Sequence, residues 1–151
     1  MKRYVSVFLC AALLLLLASC AGGGSALEIT KDVSEHFAFR YGAVYSDEYG
    51  QWSEFCFSPE LKTKIFGENA PKYTYIKAVS GYFSRDMVSG SELLVLELSD
   101  RSHRAEVMAV LYRRAALKQD ACVRIFCEGN YVFFVCDSAA EEIIEYIKEK
   151  I

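Results

Sequence analysis

The side chains able to do chemistry in this 151-residue chain are few: six cysteines, two histidines and a handful of carboxylates near loops. Cys56, Cys122, Cys127 and Cys136 form no C-x-x-C pair and match no zinc template, so neither a metal site nor a redox dithiol is expected. His36 and His103 stand far apart, and His103 falls in the first turn of a long helix, where a solvated imidazole is the ordinary outcome. The chain has no glycine-rich phosphate loop, no G-x-S-x-G elbow and no H-E-x-x-H helix. Asp100 and Asp137 begin two helices, and capping of first-turn amides accounts for both. What remains is binding chemistry. Ser84-Arg85-Asp86 lies in a strand-connecting loop, where a guanidinium and a carboxylate can hold a polar ligand. Tyr41, Tyr45, Tyr49, Trp52, Phe55 and Phe57 crowd the least regular third of the chain. Aromatic rings there can stack on sugars, peptides or a partner, or cover the open side of a sheet. Tyr49, Trp52, Arg85 and Asp86 are the expected binding residues. No residue takes a catalytic role, and no cofactor is expected.

The N-terminal residues must position whatever follows. Met1-Lys2-Arg3 is a short basic start, and Val5 to Leu17 is an apolar block of about 13 residues, short of the roughly 18 to 20 that span a bilayer core. It is a secretory leader. Leu17-Ala18-Ser19-Cys20 closes it with a leucine, two small residues and a cysteine. These four residues resemble the lipobox of bacterial lipoprotein signals. The resemblance implies diacylglycerol transfer to the Cys20 sulfur, cleavage between Ser19 and Cys20, and a palmitate-type anchor. It also implies an address on the outer, extracytoplasmic face of the cell membrane. Two acyl chains at roughly 0.8 kcal/mol per buried methylene suffice for stable attachment. Ala21-Gly22-Gly23-Gly24-Ser25-Ala26 then reads as a flexible tether. The chain is thus expected to divide into a signal peptide over 1–19, a lipidated cysteine and tether over 20–27, and one domain over 28–151.

Cleavage leaves 132 residues, enough for one core. It also removes Lys2 and Arg3 from the 17 basic residues, leaving 15 against 20 acidic ones and a formal charge of −5. An acidic surface excludes nucleic acid as the expected partner. The partners expected are the membrane, through the lipid, and an envelope protein or ligand of unknown identity. Four mature cysteines in an exported chain admit two disulfides. A two-residue hairpin turn at Gly129-Asn130 sets Cys127 opposite Val132 and Cys136 opposite Val123, roughly 13 Å apart at about 3.3 Å per residue, too far to bridge. Free, buried thiols are expected, with Cys56 to one of the others as the alternative bond.

Hydrophobic periodicity supplies the elements. Glu92 to Leu98 and Tyr131 to Cys136 read as strands, each followed by a helix. The faces expected inward are Ala105, Met108, Leu111, Tyr112 and Ala115 in the first helix, and Ala140, Ile143, Ile144, Ile147 and Ile151 in the second. Ser138 and Glu141 have the spacing of a capping box. Tyr73 to Phe83 and Ala121 to Cys127 supply the hairpin partners. Ser58, Pro59 and Gly67 mark the start and stop of a short helix. From Ile29 to Phe57 the pattern predicts a short helix capped by Thr30 and then an extended segment. The fold expected is α+β: an antiparallel four-stranded sheet built from two hairpin-helix units, with the helices packed on one face.

The pieces Gly-Ser-Glu92-Leu-Leu-Val-Leu-Glu-Leu, Gly129-Asn130-Tyr131-Val132, and Arg113-Arg114 late in the long helix resemble an uncharacterised domain-of-unknown-function family. Its members are small lipoproteins, mainly of Gram-positive bacteria. The resemblance runs from about Ser58 to the C-terminus and departs at Lys118-Gln119-Asp120, where the family carries a longer segment. It implies the fold and the surface address, and no activity. The expected function is therefore a non-catalytic binding or accessory module of the envelope. The alternatives are a structural protein that pairs with another envelope component, and an envelope hydrolase.

Overall fold

The computed structural model describes residues 24–68, 70, 73–85, 90–118 and 122–151. The expected signal peptide (with Ser19), Cys20 and Asp86 lie outside the described residues. The elements run α1 (Ala26–His36), β1 (Gly42–Ser46), α2 (Pro59–Phe66), β2 (Ile76–Ser84), β3 (Glu92–Leu98), a 3-10 turn (Arg101–His103), α3 (Arg104–Ala115), β4 (Val123–Glu128), β5 (Tyr131–Cys136) and α4 (Ala140–Lys150). The five strands form one antiparallel sheet in the order β1-β2-β3-β5-β4.

The α+β class and the two hairpin-helix units are as expected. The sheet has five strands rather than four, because the extended segment before Tyr45 pairs along β2, from Gly42 opposite Ser84 to Ser46 opposite Ser80. The helices also cover both faces rather than one. Leu93 and Val95 point to one core with Phe133 and Val135, covered by Ile29 and Val33 of α1 and Ile143 and Ile147 of α4. Leu94, Leu96 and Leu98 point to a second core with Val132 and Phe134, covered by Ile65 and Phe66 of α2 and Val107, Val110 and Leu111 of α3. The reason lies in the strands: Leu93 to Leu96 and Tyr131 to Cys136 are apolar at every position, so both faces need cover. Each fully buried leucine or phenylalanine contributes roughly 1.5–3 kcal/mol.

Several local expectations shift with this packing. The first helix starts earlier, where Ser25 accepts from the Glu28 amide and the Glu28 carboxylate accepts from the Ser25 amide at 2.8 Å, a complete capping box. Thr30 is not its cap but is fully buried, donating its hydroxyl to the Ala26 carbonyl at 2.8 Å. Ser25 and Ala26, assigned to the tether, belong to the folded domain, and Ala26 is buried. On α3 the expected Leu111 is buried and Met108 and Ala115 pack against the same core, with Val107 and Val110 added to the stripe, whereas Ala105 and Tyr112 are exposed. The stripe of α4 is the expected one, with Ala140, Ile143, Ile144 and Ile147 all buried. Its capping box does not form: Asp137 accepts from the Ala139 amide at 2.8 Å, and Glu141 pairs instead with Arg124 at 2.5 Å. Ser58, Pro59 and Gly67 delimit α2 as predicted. The hairpin register sets Val123 opposite Cys136 and Cys127 opposite Val132, and all four described cysteines are free. Cys136 is buried but Cys122, just ahead of β4, is exposed.

Candidate functional site

The register defines two ends of the sheet. Tyr131 lies opposite Glu97 at one end, and Cys136 lies opposite Glu92 at the other. The Tyr131 hydroxyl donates to the Gly24 carbonyl at 2.9 Å, so the first described residue lies at the first end, hereafter the entry end. The loop 37–41, Arg85, Gly90, Ser91 and the start of α4 gather at the far end.

At the far end α1 stops on two paired amides. The Ala38 amide donates to the Glu35 carbonyl at 3.1 Å and the Phe39 amide to the Ser34 carbonyl at 2.9 Å, with Ala38 at φ +49. This is the Schellman arrangement, with alanine where glycine is usual. Tyr41 follows at φ +61, and its carbonyl accepts from the Arg85 amide at 2.5 Å. Gly42 is required next, because a Cβ there would sit 2.4 Å from the Tyr82 ring. The Tyr82 hydroxyl donates to the Arg40 carbonyl at 2.8 Å and its ring packs on Phe39 at 4.9 Å. The loop is thereby pinned while the Tyr41 side chain is 73% exposed.

Beneath it opens a depression of about 290 Å³, lined by Phe37, Phe39, Arg40, Tyr41, Ser91 and Asp137 among others. The Asp137 carboxylate accepts from the Ser91 hydroxyl at 2.6 Å with one oxygen and from the Ala139 amide with the other. It works as a brace for the wall rather than as the expected helix cap, since α4 has Ala139 at its N-cap and no side-chain cap there.

Of the expected binding residues, Arg85 belongs to this end and is exposed, beside Tyr41. Tyr49 and Trp52 do not join it. They follow Ser46, at the other end of β1, about 13 Å away along a five-residue strand. The Lys31 ammonium lies 5.3 Å over the Tyr49 ring, and Trp52 is 93% exposed. Tyr45, Phe55 and Phe57 turn inward as the covering reading expected: Tyr45 packs on Phe83 at 5.8 Å and on Phe55 at 5.9 Å, and Phe57 packs on Phe66 at 6.3 Å.

His36 stacks on Tyr146 at 4.0 Å, and His103 stacks on Tyr75 at 3.9 Å. The Tyr75 hydroxyl donates to Glu106 at 2.6 Å, and its pKa is raised by burial and by that carboxylate. Among the described residues no cluster of histidine, cysteine and carboxylate side chains could hold a metal ion, and no helix is long and apolar enough to cross a membrane.

The sequence reading missed an ion cluster under the far end. Glu92, 3% exposed, receives Arg114 in a fork at 2.5 and 2.8 Å and Lys118 at 2.8 Å. The Arg114 guanidinium also lies 6.0 Å from the centre of the Phe83 ring. The signal was a carboxylate set directly before the apolar run Leu93 to Leu96, with basic residues on the helix that follows. Comparison with family models, with curated proteins and with solved structures finds no match to this chain.

Proposed function

We propose that this protein is a lipid-anchored extracytoplasmic module. It holds an envelope partner, protein or ligand, at the far end of its sheet and does no chemistry on it. The observation that carries the binding site is Tyr41: an exposed ring on a loop pinned by Tyr82 and Arg85, held at positive φ, above a depression with Arg40 beside it. Backbone strain of this kind, about 1–3 kcal/mol per residue, persists where surrounding contacts over-determine it, and such places cluster at ligand clamps. Holding rather than turnover is supported by Asp137, whose two oxygens serve Ser91 and Ala139. General acid and base work needs carboxylates with pKa values set apart by their neighbours. The Leu17-Ala18-Ser19-Cys20 motif supports the anchor. Membership of the small-lipoprotein family goes with this reading, supported by Gly129-Asn130-Tyr131-Val132 at the hairpin turn.

A second reading, pairing with another envelope protein through the sheet edge, is favoured by β4, a six-residue strand whose only sheet neighbour among the described residues is β5.

Two measurements test the proposal. Replacing Cys20 with Ala should abolish labelling by fatty-acid analogues and release the domain from the membrane fraction; undiminished labelling overturns the anchor. Affinity capture from the native envelope, read by mass spectrometry, should lose its partner several-fold on Tyr41→Ala with Arg85→Ala. Capture untouched by both favours the β4 edge.

A further inference from the structure

The register of β4 fixes which of its backbone groups face away from the sheet. The Leu98 amide donates to the Asn130 carbonyl at 2.8 Å, and the Asp137 amide donates to the Cys122 carbonyl at 3.2 Å. Bonded pairs alternate along an antiparallel ladder, so Tyr131, Phe133 and Val135 turn their backbone groups to β4, and their partners Glu128, Phe126 and Arg124 turn theirs to β5. Ile125 and Cys127 are left with amide and carbonyl aimed outward. None of these four groups has a partner among the described residues.

The opposite edge is partly covered by its own chain: at the end of β1 the Ser46 amide donates to the Phe55 carbonyl and the Phe57 amide to the Ser46 carbonyl, both at 3.0 Å. β4 has no such cover. Edge strands are ordinarily blunted by proline, lysine or a bulge, and β4 carries none of these, its six residues pairing with β5 without a register shift.

Its charges complement one another about the strand's own centre. When a second β4 is turned about a two-fold axis through Phe126, Ile125 of each copy falls opposite Cys127 of the other and their outward groups bond reciprocally. Arg124 then falls opposite Glu128, and Phe126 meets its counterpart in a non-bonded pair, the closer of the two kinds. A shift of two residues loses both ion pairs by setting Arg124 or Glu128 opposite Phe126, and a shift of four sets arginine on arginine or glutamate on glutamate. Opposite charges across a strand pair stabilise it and like charges destabilise it. Both charges stand ready: Arg124 donates to the outward Val123 carbonyl at 3.0 Å, which lays its guanidinium along the open edge, and Glu128 has no cation partner among the described residues.

We infer that the protein pairs with a second copy of itself through β4. The strands lie antiparallel about Phe126, with Arg124 of each copy on Glu128 of the other, and the two five-stranded sheets join into one. The occupant is a second copy rather than another envelope protein because the complement of each group on this edge is already on the edge. An interface of this kind uses the same patch twice and closes at two copies. Tyr41, just ahead of β1, stands at the opposite edge and stays free in both, so the pairing does not rest on the binding reading.

The full chain, purified in density-matched detergent, is weighed by sedimentation equilibrium. Wild type should sediment as two copies at micromolar concentration. Arg124→Glu sets glutamate on glutamate and Glu128→Arg sets arginine on arginine, so each alone should weaken the dimer at least several-fold. Mixed in equal amounts, the two variants should pair as tightly as wild type, since each supplies the charge the other lacks. Phe126→Cys places two sulfurs across the axis at a Cα spacing of about 4.5 Å, which a disulfide spans, and should oxidise to a covalent dimer well beyond the wild-type level. A monomeric wild type overturns the inference, as does a dimer that either charge variant leaves unchanged, that the mixture fails to restore, or that Phe126→Cys does not cross-link. A monomer whose capture of an envelope protein is lost on Arg124→Glu gives the edge to that protein instead.

Discussion

Glu92 is the residue whose replacement should cost most. Its carboxylate is buried at the start of β3 and receives two cations, Arg114 and Lys118, whose side chains are 15% and 27% exposed. Removing one partner of a buried pair leaves an uncompensated charge and typically costs about 3–5 kcal/mol, set against a total stability of about 5–15. Glu92→Ala should therefore lower the urea midpoint sharply. Replacing the fork as a whole, Glu92→Leu with Arg114→Met, should recover much of the loss, since Lys118 is the more exposed of the two cations and can turn to solvent. A Glu92→Ala loss below about 1 kcal/mol, the range of exposed pairs, would show that water screens the cluster. The residue was visible in the sequence only as a strand's first position. Its burial depends on α3 crossing the sheet end, a tertiary fact that no local pattern carries.

At the scale of elements, legibility followed the kind of signal. β3 and β5 were readable to the residue because mainly apolar runs are bounded by Gly turns before them and Asp after them, and α2 because serine, proline and glycine punctuate it. The layer order was not readable, because a run such as Leu93 to Leu96 states that both faces are buried without naming what covers each. The stripe of α3 was right at Met108, Leu111 and Ala115 and wrong at its flanks, because Ala105 and Tyr112 share its period with no core behind them. α1 hid at both ends: its capping box begins inside a Gly/Ser run that reads as linker, and its stop lacks glycine. The second omission yields a prediction. Ala38 sits at φ +49, where an L-residue costs roughly 1–2 kcal/mol against glycine, partly offset by glycine's freer unfolded chain. Nothing in the Schellman turn needs its methyl, which is exposed. Ala38→Gly should raise stability by about 1 kcal/mol in urea denaturation, and a loss on that substitution would mean the methyl packs against the Tyr41 loop.

Across the whole molecule the thiols and phenols shifted in the alkaline range belong to the two cores or their margins, while on the surface Lys77 is raised by its hydrogen bond to Glu97 and Lys150 by its hydrogen bond to Tyr146. Burial, as the largest cause, raises the thiols of Cys127 and Cys136 above their ordinary 9.0 and the phenols of Tyr75, Tyr82 and Tyr131 above 10.0. A raised folded pKa means the unfolded chain releases its proton first, so above the ordinary value the folded state binds more protons and stability falls as pH rises. The contribution is whole below about pH 9 and is lost upward through the thiol and then the phenol range. On the acid side Glu60 and Asp100 are lowered by the hydroxyl of Ser58 and the amide of Ser102. Their contribution is present above the ordinary carboxylate values and fades as pH drops through the lowered ones, but both are fully exposed and the effect is small. The urea midpoint should therefore hold level through neutral pH and decline from about 9. In Cys127→Ala with Cys136→Ala, compared with its own midpoint at neutral pH, the onset should move toward 10, where the phenols begin. A wild-type midpoint that stays flat above pH 10 would show that these five groups titrate alike in the folded and unfolded chains, and that the cores admit water to them.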